Sequence, residues 1–264
     1  IKPFILEKKI NVLLITQARL GSSRFPNKIL QLIGKNSILS LHLNRLKMAT
    51  LVDKIIVATT FEKGVNEIIS IARCCNVDFF QGSTDDVLNR FYKAAKKIKP
   101  NYVVRVTSDC PLIDPKLVDE VIEFTRKNEL DYGSNTLIQN YPDGQDVEVF
   151  KYKALERSFY EAKLNSEREH VTPFIIKNSS FNNKKLFKSK AFKSDINLNF
   201  VRMTVDEEED YKAILTLVSC LGTEATWQDY ADYYIKNSQL FNNKNIIRNE
   251  GFLKSLKKDL IDEK

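Results

Sequence analysis

Asn11-Val12-Leu13-Leu14-Ile15-Thr16 is a near-continuous apolar run that breaks directly into Gln17-Ala18-Arg19-Leu20-Gly21-Ser22-Ser23-Arg24-Phe25-Pro26-Asn27-Lys28. An unbroken apolar run suits a strand buried on both faces, and such strands belong to parallel sheets covered by helices. Residues 54–59 and 102–106 read the same way, with 77–80 a shorter candidate. Between and after these runs lie helical patterns at about 37–47, 64–74, 85–98 and 115–127. Pro115 suits a first helical turn, where its missing N–H costs nothing, and Asp114 before it suits the N-cap. This alternation predicts an α/β fold with a mostly parallel central sheet and helices on both faces.

The second half is less regular. Residues 146–150 alternate polar and apolar, which predicts a strand with one face less buried. Helices are expected near 151–163 and 167–177, a strand over 200–205, and a helix over 206–219. Asp206, Glu207, Glu208, Glu209 and Asp210 open that last helix, where acidic residues complement the helix dipole. The Asn/Lys/Ser/Phe-rich stretch 178–197 reads as an irregular loop or extended arm. No repeat or linker divides the chain. One domain is expected over 1–240, with 164–197 a candidate dimerisation arm and 241–264 a basic C-terminal tail.

The 264 residues carry a net charge of +7, with a pI near 9.0. Much of the lysine excess is spread over 177–193 and 236–264 without the aromatic interleaving of a single-strand platform, which argues against nucleic acid as a partner. No apolar run approaches the roughly 20 residues that cross a bilayer. The first ten residues hold too short an apolar stretch for a signal peptide. No membrane partner and a cytoplasmic location are therefore expected. Cys74, Cys75, Cys110 and Cys220 form no C-x-x-C pair, which argues against a disulfide framework or a zinc site. His42 and His170 are too few for chemistry built on several imidazoles.

In an open α/β sheet, ligands bind beyond the carboxyl ends of the strands, where residues 17–28 lie. Arg19, Arg24 and Lys28, with the backbone amides around Gly21, Ser22 and Ser23, suit a triphosphate, which needs several cationic donors and close backbone approach. The loop is neither G-x-x-x-x-G-K-[ST] nor G-x-G-x-x-G. The competing reading is an ordinary basic surface loop. Asp109 follows the strand at 102–106, so its carboxylate points into the same crevice. Asp206 ends the strand at 200–205 and reads equally as a helix N-cap. Asp85 and Asp86 open a helix after Gly82-Ser83-Thr84, as site residues or as a plain first turn.

The string Q-A-R-L-G-S-S-R-F-P-N-K resembles the signature of bacterial cytidylyltransferases that make CMP-activated sugar acids. These include the KDO-type synthetases, and the spore-coat polysaccharide biosynthesis branch is the nearest. The similarity continues in order through 82–91, 104–115, 131–135, 141–150, 168–173 and 202–206, covering roughly residues 11–220. It implies a nucleotide-diphospho-sugar transferase (Rossmann-like) fold that uses CTP and Mg²⁺. It assigns Asp109 to the metal, with Asp206 as partner carboxylate. Arg19, Lys28 and Asp109 are the expected catalytic residues. The nucleotide is expected at Gln17, Ala18, Arg19, Leu20, Gly21, Ser22, Arg24, Lys28, Gly82, Ser83, Asp86, Thr107 and Asp109. The acceptor, a sugar or sugar acid, is expected at Arg105, Asn135, Gln145, Asp146, Glu148, Arg168 and His170. Arg168 is the candidate cationic fork for its carboxylate. Arg105 reads alternatively as half of a buried ion pair, and His170 as a structural histidine. The expected reaction gives a CMP-sugar and pyrophosphate for surface polysaccharide or glycan synthesis, in a homodimer. A glycosyltransferase on a similar fold and a non-catalytic nucleotide- or carbohydrate-binding protein are the alternatives.

Overall fold

The computed structural model describes residues 9–22 and 24–262; residues 1–8 of the expected domain, Ser23 of the expected triphosphate loop and residues 263–264 of the expected tail lie outside them. Among the described residues, nine strands run in chain order as β1 (Val12–Gln17), β2 (Leu32–Ile33), β3 (Asn36–Ser37), β4 (Lys54–Thr59), β5 (Asp78–Gln81), β6 (Tyr102–Thr107), β7 (Tyr132–Ser134), β8 (Glu148–Lys151) and β9 (Ser189–Ala191). Ten α-helices accompany them among the described residues. The first five are α1 (Ile38–Leu46), α2 (Val65–Cys74), α3 (Val87–Lys96), α4 (Pro115–Lys127) and α5 (Tyr152–Glu161). The others are α6 (Asn165–His170), α7 (Pro173–Lys177), α8 (Glu208–Leu221), α9 (Trp227–Lys236) and α10 (Glu250–Asp262).

Seven strands make one sheet in the order β5-β4-β1-β6-β8-β7-β9. The four on the β5 side pair in parallel, as their apolar runs predict. β8 runs antiparallel to both β6 and β7. Alternation along β1 sorts its side chains between two cores. Leu13 and Ile15 pack with Leu88 and Phe91 of α3 and Leu155 of α5. Val12 and Leu14 pack with Leu46 of α1 and Val118 and Val121 of α4 on the other face. Each such fully buried aliphatic side chain contributes about 1.5–3 kcal/mol relative to exposure. Asp114 caps α4 as expected, accepting from the Lys116 amide at 2.8 Å. Its second oxygen accepts from the Trp227 amide at 2.9 Å, which ties α9 to α4.

The structure departs from the sequence expectation in the second half. Residues 200–205 form no strand. They make a single bridge, Asp143 to Arg202. The alternation itself is sound, since Val201, Met203 and Val205 are fully buried against α8 and α9. Their backbone bonds go to turns instead of a ladder: Met203 N–H to the Asp143 carbonyl at 2.7 Å, and Val205 N–H to the Asp109 carbonyl at 2.8 Å. The following helix begins at Glu208 with Glu207 as its cap, so Asp206 is not an N-cap. The stretch 178–197 is not wholly irregular: it holds β9, which pairs with β7, and Phe187 joins the main core. The residues read as a basic tail contain α10, which packs on α6. Among the described residues, no helix is long and apolar enough to cross a membrane.

Gly144 allows the 200–205 segment to lie against its turn. Its φ is +100°, and a Cβ there would sit 2.6 Å from the Met203 carbonyl carbon and 2.7 Å from the Thr204 nitrogen. Backbone cannot yield as a flexible side chain does. Gly144→Ala should therefore destabilise the fold by roughly 3 kcal/mol, from left-handed strain plus the clash. Denaturant titration checks this, and a midpoint equal to that of the parent would show that the segment moves freely.

Candidate active site

β1 and β6 are neighbours, while the chain places β4 and β6 on opposite sides of β1, so the loops leaving their carboxyl ends diverge and open a crevice. The crevice is a cleft of about 660 Å³. The first loop lends it Gln17, Ala18, Arg19, Ser22, Arg24 and Lys28, the second Thr107, Ser108 and Asp109, and the segment beside them Asp206. Asn27 adopts a left-handed conformation at φ 55°, and the short 3-10 turn Lys28–Leu30 follows it. Lys28 Nζ donates to Asp109 Oδ2 at 2.8 Å and to Asp206 Oδ1 at 2.9 Å. Arg24 reaches the same Asp206 oxygen at 3.1 Å.

Burial alone would raise the Asp109 carboxyl, but the Lys28 ammonium against it holds it well below the usual carboxylate range. Burial would likewise lower Lys28, and Asp109 with Asp206 outweigh that and raise it. Both groups stay charged. Arg202 supports the pair from beneath. It donates to Asp206 at 3.0 Å, to Asp143 at 2.5 Å and through Nε to Asp210 at 2.7 Å. Asp210, read from sequence as one of the acidic residues that open a helix, is fully buried. Its Oδ2 accepts from the Asp206 and Glu207 amides at 2.9 and 3.1 Å, which fixes the turn that carries Asp206.

The loop's backbone is largely committed to its own shape. Leu20 N–H donates to Glu62 at 2.7 Å and Ser22 N–H to the Leu20 carbonyl at 2.8 Å. Leu20 and Gly21 do not line the cleft; a Cβ on Gly21 would meet the Glu62 carboxylate at 3.3 Å. The expected backbone cradle is thus chiefly a side-chain cradle of Arg19, Arg24 and Lys28. Glu62, which positions it, was missed; the one signal was a carboxylate just beyond the end of β4.

Thr84, Asp85 and Arg90 also line the cleft, while Gly82, Ser83 and Asp86 do not. Arg90 was also missed, although a lone Arg on the apolar face of α3, among Val87, Leu88, Phe91 and Ala94, could have flagged it. It donates to the Ser83 carbonyl at 2.6 Å and the Thr84 carbonyl at 3.1 Å, and its buried Nε has no partner among the described residues. Burial, with Arg19 nearby, lowers its pKa to about 10.

Most of the expected acceptor residues lie outside the cleft. Asn135 and Gln145 are buried, and their amides are consumed internally. Asn135 bridges the Gln145 carbonyl and the Val147 amide, and Gln145 bridges the Asp114 amide and the Leu112 carbonyl. They stitch turns together. Glu148 takes Arg105, the Tyr132 hydroxyl and the Thr172 hydroxyl, so Arg105 is the buried ion pair of its alternative reading. Asp146 is held by Arg248 at 2.5 Å. Arg168 does line the cleft, but it forks onto Asp86 at 3.1 and 2.5 Å and lies 5.3 Å over the Phe159 ring. His170 also lines the cleft and contacts Ser255 of α10 at 3.1 Å. Burial, then Arg105, lowers His170 to about 4, so it is neutral at pH 7.

A cytidylyltransferase family model matches residues 13–252. The chain is 36% identical over 241 residues to an uncharacterized protein of Methanocaldococcus jannaschii, covering 90% of this chain and 96% of that one. It is 32% identical over 221 residues to the spore coat polysaccharide biosynthesis protein SpsF of Bacillus subtilis, covering 80% and 88%. The structure of a cytidylyltransferase from Leptospira borgpetersenii superposes with a TM-score of 0.81 at 30% identity, covering 91% of this chain and 99% of that one.

Beneath the cleft, His42 of α1 ties β1 to the Asp109-Cys110 turn. A carbonyl only accepts, so Nδ1–H donates to Cys110 O at 2.9 Å, and Nε2 accepts from the Thr16 hydroxyl at 2.9 Å. Burial lowers the ring from 6.5 to about 4. Its stabilising share is therefore full above pH 6.5 and is lost as the pH falls toward 4. Between pH 7.5 and 5 the protein should lose about 2 kcal/mol more than His42→Gln does, read from denaturant titrations. Parallel pH curves for the two would show that the ring is not held neutral.

Proposed function

We propose that this chain, which belongs to the cytidylyltransferase family and is a nucleotidyltransferase, joins the nucleotide of CTP to a sugar or sugar acid, giving a CMP-sugar and pyrophosphate for surface polysaccharide or glycan synthesis. One observation carries the reading: Lys28, from the triphosphate loop, is held between Asp109 and Asp206 at the mouth of the parallel sheet. Family membership favours this transfer over the glycosyltransferase and non-catalytic readings.

An acceptor hydroxyl attacks the α-phosphorus. The bond from that phosphorus to the bridging oxygen breaks, pyrophosphate leaves, and the hydroxyl proton passes to solvent. Catalysis of this kind is mainly positioning and charge neutralisation. Arg19, Arg24 and Lys28 would hold the β- and γ-phosphates, with Lys28 exchanging a carboxylate for phosphate oxygen as the triphosphate enters. Arg90 holds the Ser83 and Thr84 carbonyls, and with them the turn that would lie near the ribose or base. The Gln17 side-chain carbonyl accepts from Arg105 Nε at 3.3 Å, which leaves its amide NH₂ to offer the base.

The donor set fits Mg²⁺. Asp109 and Asp206 already share one ammonium, and Mg²⁺ prefers one or two carboxylates, completing its shell with waters and substrate phosphates. No group of three or more His, Cys, Asp or Glu among the described residues could hold an ion without the nucleotide. Asp109 and Asp206 would hold the ion, which when bound supplies positive charge to the reacting oxygens.

Asp109→Asn should lower pyrophosphate release roughly a thousandfold in protein that is still folded by circular dichroism at the assay temperature. The assay is release across the four NTPs and a panel of sugars and sugar acids, with CTP expected to be preferred. Near-parent turnover by the variant would remove Asp109 from the site, and release from no NTP would sink the proposed reaction.

A further inference from the structure

The cleft has a third wall that the reaction above leaves unused, made by Glu250, Gly251, Lys254, Ser255 and Lys258 of α10. The helix is fixed on α6 from behind. Buried Asp259 accepts from the Ser166 amide at 3.2 Å, and buried Ser255 donates to Glu169 at 2.6 Å. With that hydroxyl hydrogen spent on Glu169, neutral His170 donates through Nε2 to Ser255 at 3.1 Å. The Phe252 ring stands edge-on to His170 at 5.1 Å. Lys254 and Lys258, one helical turn apart, therefore face the cleft from a set position.

The other cations on this side are committed. Arg168 forks onto Asp86, and Arg105 is spent on Glu148 and Gln17. Lys258 has no ion-pair partner among the described residues. Lys254 is matched by Glu250 at 2.7 Å, and the same carboxylate contacts Arg24 of the triphosphate loop at 3.2 Å. A carboxylate of the chain itself thus sits between a cation of the triphosphate loop and a cation of α10.

We propose that Lys254 and Lys258 bind the anionic group of the acceptor, a carboxylate or phosphate carried by the sugar, and that this group displaces Glu250. The assignment rests on the nucleotidyl-transfer reading, because it takes the cleft beside the triphosphate loop to be the acceptor's place. It moves the anion-recognising role from Arg168 to the C-terminal helix. It also makes the helix part of the active site and gives the acceptor a required charge.

Calorimetry on the full chain tests it, with CTP as one ligand and three acceptor probes titrated into the CTP complex: 3-deoxy-manno-octulosonate, glucose 1-phosphate and glucose. The probes separate a carboxylate, a phosphate and a neutral sugar. At least one acidic probe should bind more tightly than glucose. Lys254→Gln/Lys258→Gln should weaken that acid about tenfold or more while CTP affinity stays within a few-fold. Glu250→Gln, which removes the resident carboxylate, should tighten it. The assignment is overturned if glucose binds as well as both acids, if no acid binds, or if the double variant binds the acid like the parent. Unchanged or weaker acid binding by Glu250→Gln overturns the displacement. Failure of the parent to bind CTP is a separate result, and it would sink the nucleotidyl-transfer reading instead.

Discussion

Two aspartates that share one lysine are the constraint around which the rest of this molecule is arranged. Like charges about 4 Å apart repel by roughly 4 kcal/mol at an effective dielectric near 20, so two carboxylates aimed at one point need both rigid placement and compensation. Placement comes from backbone. Val205 N–H bonds to the Asp109 carbonyl at 2.8 Å, which fixes the segment ending in Asp206 against the turn after β6. Compensation comes from Lys28 and Arg24 above and from Arg202 below, itself shared among Asp143, Asp206 and Asp210. Removing one partner of such a buried network leaves the others uncompensated, which costs far more than the net value of any single pair.

The same economy extends outward through carboxylates that are not chemical participants. Glu62 holds the loop after β1 by its Leu20 amide, Asp86 holds Arg168, and Glu148 gathers Arg105, Tyr132 and Thr172. Each fixes a cation or a loop before any substrate arrives, and preorganisation of this kind lowers the cost of charge development in a transition state. Neutral His42 and His170 belong to it too, as hydrogen-bonding struts that carry no charge into a crowded field.

The parallel half of the sheet was legible because a strand buried on both faces leaves an unbroken apolar run, and β1, β4 and β6 each have one. α4 could be bounded to the residue because Asp114 and Pro115 are local signals that act on their own backbone. The strand expected at 200–205 failed for a different reason. Alternation reports which side chains are buried, not where the backbone bonds go, and here they go to Asp109 and Asp143. Three-residue strands such as β7 and β9 are too short to show a period. Asn135 and Gln145 misled because a buried amide that stitches two turns has the same sequence appearance as one that binds a ligand. α10 was hidden by its lysines. Phe252, Ser255 and Asp259, spaced at three and four residues, were the face that packs, but two of the three are polar.

The mixture of charges around the cleft also bears on what the site can recognise. A chain of net charge +7 draws polyanions, and diffuse surface lysines are enough for that. Yet the innermost groups are not uniformly positive. Asp109 and Asp206 face the same opening as Arg19, Arg24 and Lys28, so an anion entering there meets repulsion as well as attraction. On the proposed reaction, a nucleotide arriving with a divalent cation would satisfy both kinds of group, its phosphates matched to the three basic side chains and its cation to the two acids. On that reading the site would select a cation–nucleotide pair over either part, because opposite charges are held side by side on rigid backbone with Lys28 bridging the two acids.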